Sequence, residues 1–201
     1  MSAKRRCDER GNMLPLAVAA ALVLFAVLAF AVDQGVAYAA KARQENALDA
    51  ARTACMDASF ALVAKNADDP GRMIAERVAR SVRDAGFHGK VAVWFYEEPE
   101  TSVSSTERRW AIGMQLEEEA PTVFARGYGI DGLPVASWRV ITATPYAGEK
   151  VWRPTARHCG RYDYAEGAVG SSWSYEELSS IDAFPAELVE ALRATLAERA
   201  E

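Results

Sequence analysis

The chain has 201 residues, half of them hydrophobic, and 23 basic against 28 acidic side chains give a net charge of −5. Beyond any membrane segment, that length suits one compact domain and is short for two. The acidic balance argues against a nucleic-acid partner, and there is no internal repeat or low-complexity tract.

The first predicted element is a membrane span. Met13 to Val32, MLPLAVAAALVLFAVLAFAV, is twenty residues without a charge. As a helix it covers roughly 30 Å, the depth of a bilayer's hydrocarbon core. Asn12 is placed to cap it, and Pro15 falls in the first turn, where proline is tolerated. Lys4, Arg5, Arg6 and Arg10, set against Asp8 and Glu9, leave the preceding stub at +2 and everything after the run at −7. The positive-inside rule then keeps residues 1–12 in the cytoplasm and exports the acidic remainder, which would repel anionic headgroups. A cleaved signal peptide is the competing reading, with Ala29-Phe30-Ala31 or Ala37-Tyr38-Ala39 as the cleavage site. The length of the run favours a retained anchor.

Past Asp33 the composition stays rich in strong helix formers, with Gly35 as a single weak point. Small and apolar residues recur at helical spacing: Ala40, Ala47, Leu48, Ala51, Cys55, Ala58, Leu62. The expectation is one helix of about fifty residues, its extension lying within residues 33–69. Asn66 to Gly71 ends it. Asp69 as N-cap and Pro70 at the first position open a second helix, with Ile74, Val78 and Val82 on one face and Gly86 as C-cap.

Strand patterns follow. They are Val91 to Tyr96, Trp110 to Leu116 with Trp110, Ile112, Met114 and Leu116 on one face, Thr122 to Tyr128, and Val135 to Thr144. Turn clusters at Pro99 to Thr106 and Gly129 to Pro134 separate them, as in an antiparallel meander. Ser174 and Glu177 read as a capping box for a short helix, and a last amphipathic helix begins near Pro185 with Leu188, Leu192 and Leu196 in one stripe. Helices segregated from strands make residues 70–201 an α+β domain.

Three pieces of the N-terminal quarter resemble the TadE/TadG-type proteins of Tad (Flp) pilus assembly. They are Arg10-Gly11-Asn12 before the span, AVDQGVAYAAKA (Ala31 to Ala42) with Asp33, Gly35 and Tyr38, and Asn46-Ala47-Leu48-Asp49-Ala50-Ala51, close to the family's QNAxDAA pattern with Glu45 where Gln is usual. The likeness spans roughly residues 5–60 and leaves 70–201 unmatched. It implies a bitopic, pseudopilin-like protein whose long helix packs on an antiparallel sheet. The implied partners are other pilus or secretion subunits, met through the membrane helix and its extension, and the lipid bilayer. Processed pseudopilins carry Glu five residues after the cleaved Gly. Counting from Gly11, that position is Leu16, so the resemblance points to an anchored accessory component and not the bulk filament subunit.

Cys7 falls in the reducing cytoplasm, Cys55 and Cys159 outside it. A Cys55–Cys159 disulfide is the expectation, closing a loop worth nominally about 4–5 kcal/mol; two buried thiols are the alternative. No catalytic residue, cofactor or metal site is expected. His88 and His158 are the two histidines, and His158-Cys159 lacks a second ligand pair. The runs Glu97-Glu98-Pro99-Glu100 and Glu117-Glu118-Glu119 sit at strand ends and read as solvated charge. Trp94, Trp110, Trp138, Trp152 and Trp173 read as core or sheet-face residues, with an exposed binding patch as the alternative. The leading function is therefore structural. A membrane-tethered binding module comes second, and an exported enzyme third.

Overall fold

The structure, a computed structural model, describes residues 13–98, 108–143, 159–167 and 170–197. The basic stub with Cys7, Gly11 and Asn12, the turn expected at Pro99 to Thr106, Trp152 and His158 lie outside them. The chain forms two compact units, one of residues up to Ala39 with Ala120–Leu133, the other of Ala40–Glu119 and residues from Pro134 onward.

The larger unit is α+β. Five strands, β1 (Lys90–Glu97), β2 (Trp110–Pro121), β3 (Gly132–Ala143), β4 (Cys159–Gly167) and β5 (Gly170–Glu177), form one sheet in the order β3-β2-β1-β4-β5. β1 is antiparallel to β2 and β4, and β4 to β5. Register follows the period of two: Val91, Val93 and Phe95 stand opposite Leu116, Met114 and Ile112, so the apolar sets of both strands share a face. That face is covered by Ala47, Leu48, Ala51 and Cys55 of α1 (Met13–Cys55) and by Ile74, Val78 and Val82 of α3 (Pro70–Asp84). The other face holds Trp94, Ala111 and Cys159 under Phe184 and Leu188, the latter from α4 (Ala186–Ala197).

Close packing explains two glycines. A Cβ at Gly71 would stand 2.7 Å from Tyr162 Oη and 2.8 Å from Phe95 Cδ1, so glycine lets α3 lie flat on the sheet. At Gly113 the same atom would meet the Leu188 methyls at 3.2 and 3.3 Å.

Local chemistry departs from the sequence expectation in two places in this unit. The long helix stops at Cys55, and α2 (Ala58–Lys65) restarts with Asp57 as its N-cap, whose carboxylate accepts from Phe60 N at 2.9 Å. The restart changes the helical phase, so Leu62 is exposed while Ala64 is buried. Ser174 and Glu177 belong to β5 and not to a helix, because β5 pairs antiparallel with β4, with Tyr162 and Tyr164 across from Tyr175 and Trp173. α3 behaves as expected, with Asp69 capping Arg72 N at 2.9 Å and Gly86 left-handed at φ 82° just beyond the helix.

The smaller unit holds the first part of α1 and the loop joining β2 to β3. Among the described residues α1 is the one helix long and apolar enough to cross a membrane, and none of its most apolar stretch is buried. It runs unbroken through both alanine-flanked sites at residues 29–31 and 37–39. The strand expected over Thr122 to Tyr128 is instead a 3-10 turn at Ala125–Tyr128. Gly129, left-handed at φ 82°, ends it, and Thr122 N closes the loop on Asp131 O at 3.1 Å.

Candidate functional site

Within the smaller unit the acid that follows the apolar run has a defined task. Asp33 is buried, and its carboxylate accepts hydrogen bonds from the backbone N–H of Val123 (2.6 Å), Phe124 (3.1 Å) and Ala125 (2.8 Å). These amides lead into the 3-10 turn, where unpaired N–H groups converge and favour an anion. Burial works to raise the Asp33 pKa, but the three amide donors together hold it below the usual 3.8. About two turns back along the same stripe of α1, Phe25 meets Phe124 edge to face, with ring centroids 5.7 Å apart.

The other motif positions among the described residues, Gly35, Tyr38, Asn46 and Asp49, are all exposed, Tyr38 at 71%. Their spacing along α1 puts them on the face opposite the stripe of Asp33, Ala40, Gln44, Ala47, Ala51 and Cys55. A Cβ at Gly35 would meet nothing within 4 Å, so no contact inside the chain requires glycine there. Asp49 reaches Arg139 of β3 at 3.1 Å. On the inner stripe, Gln44 donates to Val135 O at 3.0 Å, tying α1 to β3.

The expected Cys55–Cys159 bridge is not formed. Both cysteines are buried free thiols. Cys55 packs on the face of the sheet covered by α1 and α3, and Cys159 on the opposite face, under Phe184 and Leu188. A disulfide needs Cα atoms within about 7 Å, and a sheet standing between the two thiols prevents that approach. Burial raises the Cys55 pKa to about 12, partly offset by the Arg77 charge, and that of Cys159 to about 11.

The acidic runs separate into different roles. Glu97 is not solvated: its carboxylate is fully buried and takes Arg108 Nε at 2.5 Å and Nη2 at 2.9 Å. Arg108 also donates to the carbonyls of Lys65 (2.7 Å), the last residue of α2, and Ala67 (3.3 Å), just past it. Sequence reading missed this pair, since nothing marks which carboxylate of the run turns inward. Glu117, Glu118 and Glu119 line a cleft of about 640 Å³ with His88 and Lys90, where Glu118 is engaged by Arg43 and Gln44. Among the described residues no group of three His, Cys, Asp or Glu side chains is placed to hold a metal ion.

Trp94 and Trp110 are buried, as a core role requires. Trp138 and Trp173 are 45% and 41% exposed, but they lie on the two outermost strands. Trp173 packs at a tilt against Tyr164 on the side covered by α1 and α3, whereas Trp138 has the parity of Val140, on the other. They do not form one patch. Compared with known proteins, the chain matches no family model, no curated protein and no solved structure.

Proposed function

We propose that the protein is a membrane-anchored, pseudopilin-like structural component in assembly of a Tad/Flp-type pilus or a related type IV-like secretion system, with no catalytic step of its own. In this reading residues 1–12 are cytoplasmic, α1 crosses the membrane once, and the remainder is extracytoplasmic. The observation that carries it is the division of α1: a bare apolar stretch, followed in the same helix by small residues built into a domain core. That is the division of a pilin-like helix, lower half for lipid and assembly, upper half for the domain.

The outward face with Gly35, Tyr38, Asn46 and Asp49 is the surface offered to neighbouring subunits, since a bare glycine lets a second helix approach closely. Deleting the protein should reduce surface pili, and normal piliation in the deletion strain would sink the assembly role. A photo-crosslinking side chain in place of Tyr38 should trap another subunit of the machine, whereas one at the inward Ala47 should not. The competing binding-module reading wants an exposed apolar patch of more than about 400 Å² on the sheet, which Trp138 and Trp173, on opposite faces, do not supply.

A further inference from the structure

The loop Thr122–Asp131 carries apolar side chains held largely in the open. Tyr128 is 90% exposed, Val123 59% and Ile130 48%. Exposure on this scale in a floppy segment would mean little, but this loop is fastened. Ile130 N donates to Ala125 O at 3.2 Å, the Thr122 hydroxyl donates to Ile130 O, and Asp33 holds three successive amides.

The fastening also sets its depth. Phe25, Ala29 and Asp33 follow one another at four-residue spacing and so share a stripe of α1. Phe124 lies against Phe25, and within residues 13–32 Ala29 is the one residue that is partly buried, the rest being exposed. Phe25 is eight residues from Asp33, about 12 Å toward the N-terminus along the helix axis. The loop therefore flanks the last turns of the apolar run, with the Phe124 ring beside residues that must be in hydrocarbon if the run spans a bilayer.

We infer that the Thr122–Asp131 loop is a second membrane contact, seating Phe124, Val123, Ile130 and Tyr128 in the leaflet interface where the helix leaves the bilayer. This rests on the membrane-spanning reading of Met13 to Val32. A tyrosine with its ring among acyl chains and its hydroxyl among headgroups is the usual interfacial arrangement. Arg126 and Asp131, paired at 3.4 Å and both exposed, form a polar rim for the water side. The exterior is acidic, so apolar burial and not charge attraction drives the contact, which predicts insensitivity to salt. Two attachments, helix and loop, fix the rotation of α1 about its axis and so determine which of its faces meets a neighbour.

The test uses the full chain, with Cys7→Ser, in phosphatidylcholine vesicles. An environment-sensitive fluorophore is attached at Tyr128→Cys, at Ile130→Cys, at Leu22→Cys within the run, and at Thr53→Cys farther along α1; the buried native thiols are left in place. Quenching is read from a lipid with its nitroxide near the headgroup and from aqueous iodide. The loop labels should emit at shorter wavelength than the Thr53 label, lose emission to the shallow lipid quencher and resist iodide. The Leu22 label should resist iodide as well. If the Leu22 label is shielded but both loop labels are quenched by iodide, the loop contact is overturned and the span stands. Loop labels shielded from iodide yet untouched by the lipid quencher mean a protein cover, which also overturns it. Iodide quenching at Leu22 removes the span and this inference with it.

Discussion

Arg108→Met should be among the most destabilising single substitutions in the chain. It keeps much of the side-chain volume and deletes the guanidinium. Four hydrogen bonds go, two to Glu97 and two to the carbonyls of Lys65 and Ala67. Both side chains of the pair are fully buried, so water does not replace what is lost. Breaking one side of a buried pair costs about 3–5 kcal/mol, against a total stability of about 5–15 kcal/mol for a typical domain. Arg108→Lys should fall between the two, because one ammonium cannot span the carboxylate and both carbonyls. Adding Glu97→Gln to Arg108→Met should recover part of the loss, since the carboxylate charge that Arg108 no longer neutralises is then removed. Urea unfolding of the full chain in detergent micelles, followed by the fluorescence of buried Trp94 and Trp110, measures all three variants against the unsubstituted chain. A loss below about 1 kcal/mol for Arg108→Met, the range of surface pairs, would refute the argument.

The remaining expectations concern pH, thiols and packing. With its pKa held below 3.8, Asp33 contributes stability that is present above that value and lost as pH falls through the lower folded one. Amide exchange at Val123, Phe124 and Ala125 should therefore speed up in acid beyond the trend of other amides, and Asp33→Asn should abolish that extra dependence. Cys55 and Cys159, raised to about 12 and about 11, contribute on the alkaline side: their share is complete below the ordinary 9.0 and lost as pH rises through the folded values. In the Cys7→Ser protein both should react with a disulfide reagent at pH 8 only after unfolding, and fast reaction in the native state would contradict the burial argument. Gly71→Ala improves helix propensity yet should destabilise by about 1–3 kcal/mol in the same urea assay, because the new methyl meets the rings of Phe95 and Tyr162.

What could be read from the chain alone was what repeats locally. The apolar run, the faces of α3 and the alternation in β1 and β2 are periodic signals, and each is set by neighbours a few residues away. The break at Asp57 was hidden because helix propensity summed over the stretch favours continuation, while one side-chain bond to Phe60 N decides against it. β4 and β5 went unread although Tyr162, Tyr164, Trp173 and Tyr175 alternate correctly, because Arg161, Asp163, Ser172 and Ser174 between them dilute the hydropathy. The Glu97–Arg108 pair and the Asp33 loop are long-range facts. Arg108 reaches a carbonyl 43 residues away and Asp33 an amide 90 residues away, and no local pattern encodes either partner.

The placement of acids along α1 bears directly on the proposed role. A carboxylate inside hydrocarbon is expensive and survives where a partner neutralises it. A filament subunit with an acid at the position of Leu16 would depend on a neighbour for that partner. Here the apolar run holds no acid, and the first one past it, Asp33, is answered by amides of the same chain. In the proposed role the helix enters the membrane with no charge awaiting a second subunit, and its one buried carboxylate fastens a loop. An anchor that is complete before it meets its neighbours suits an accessory component better than a fibre-forming one. It also leaves the exposed face with Gly35 and Tyr38 as the place where an assembly defect should first appear.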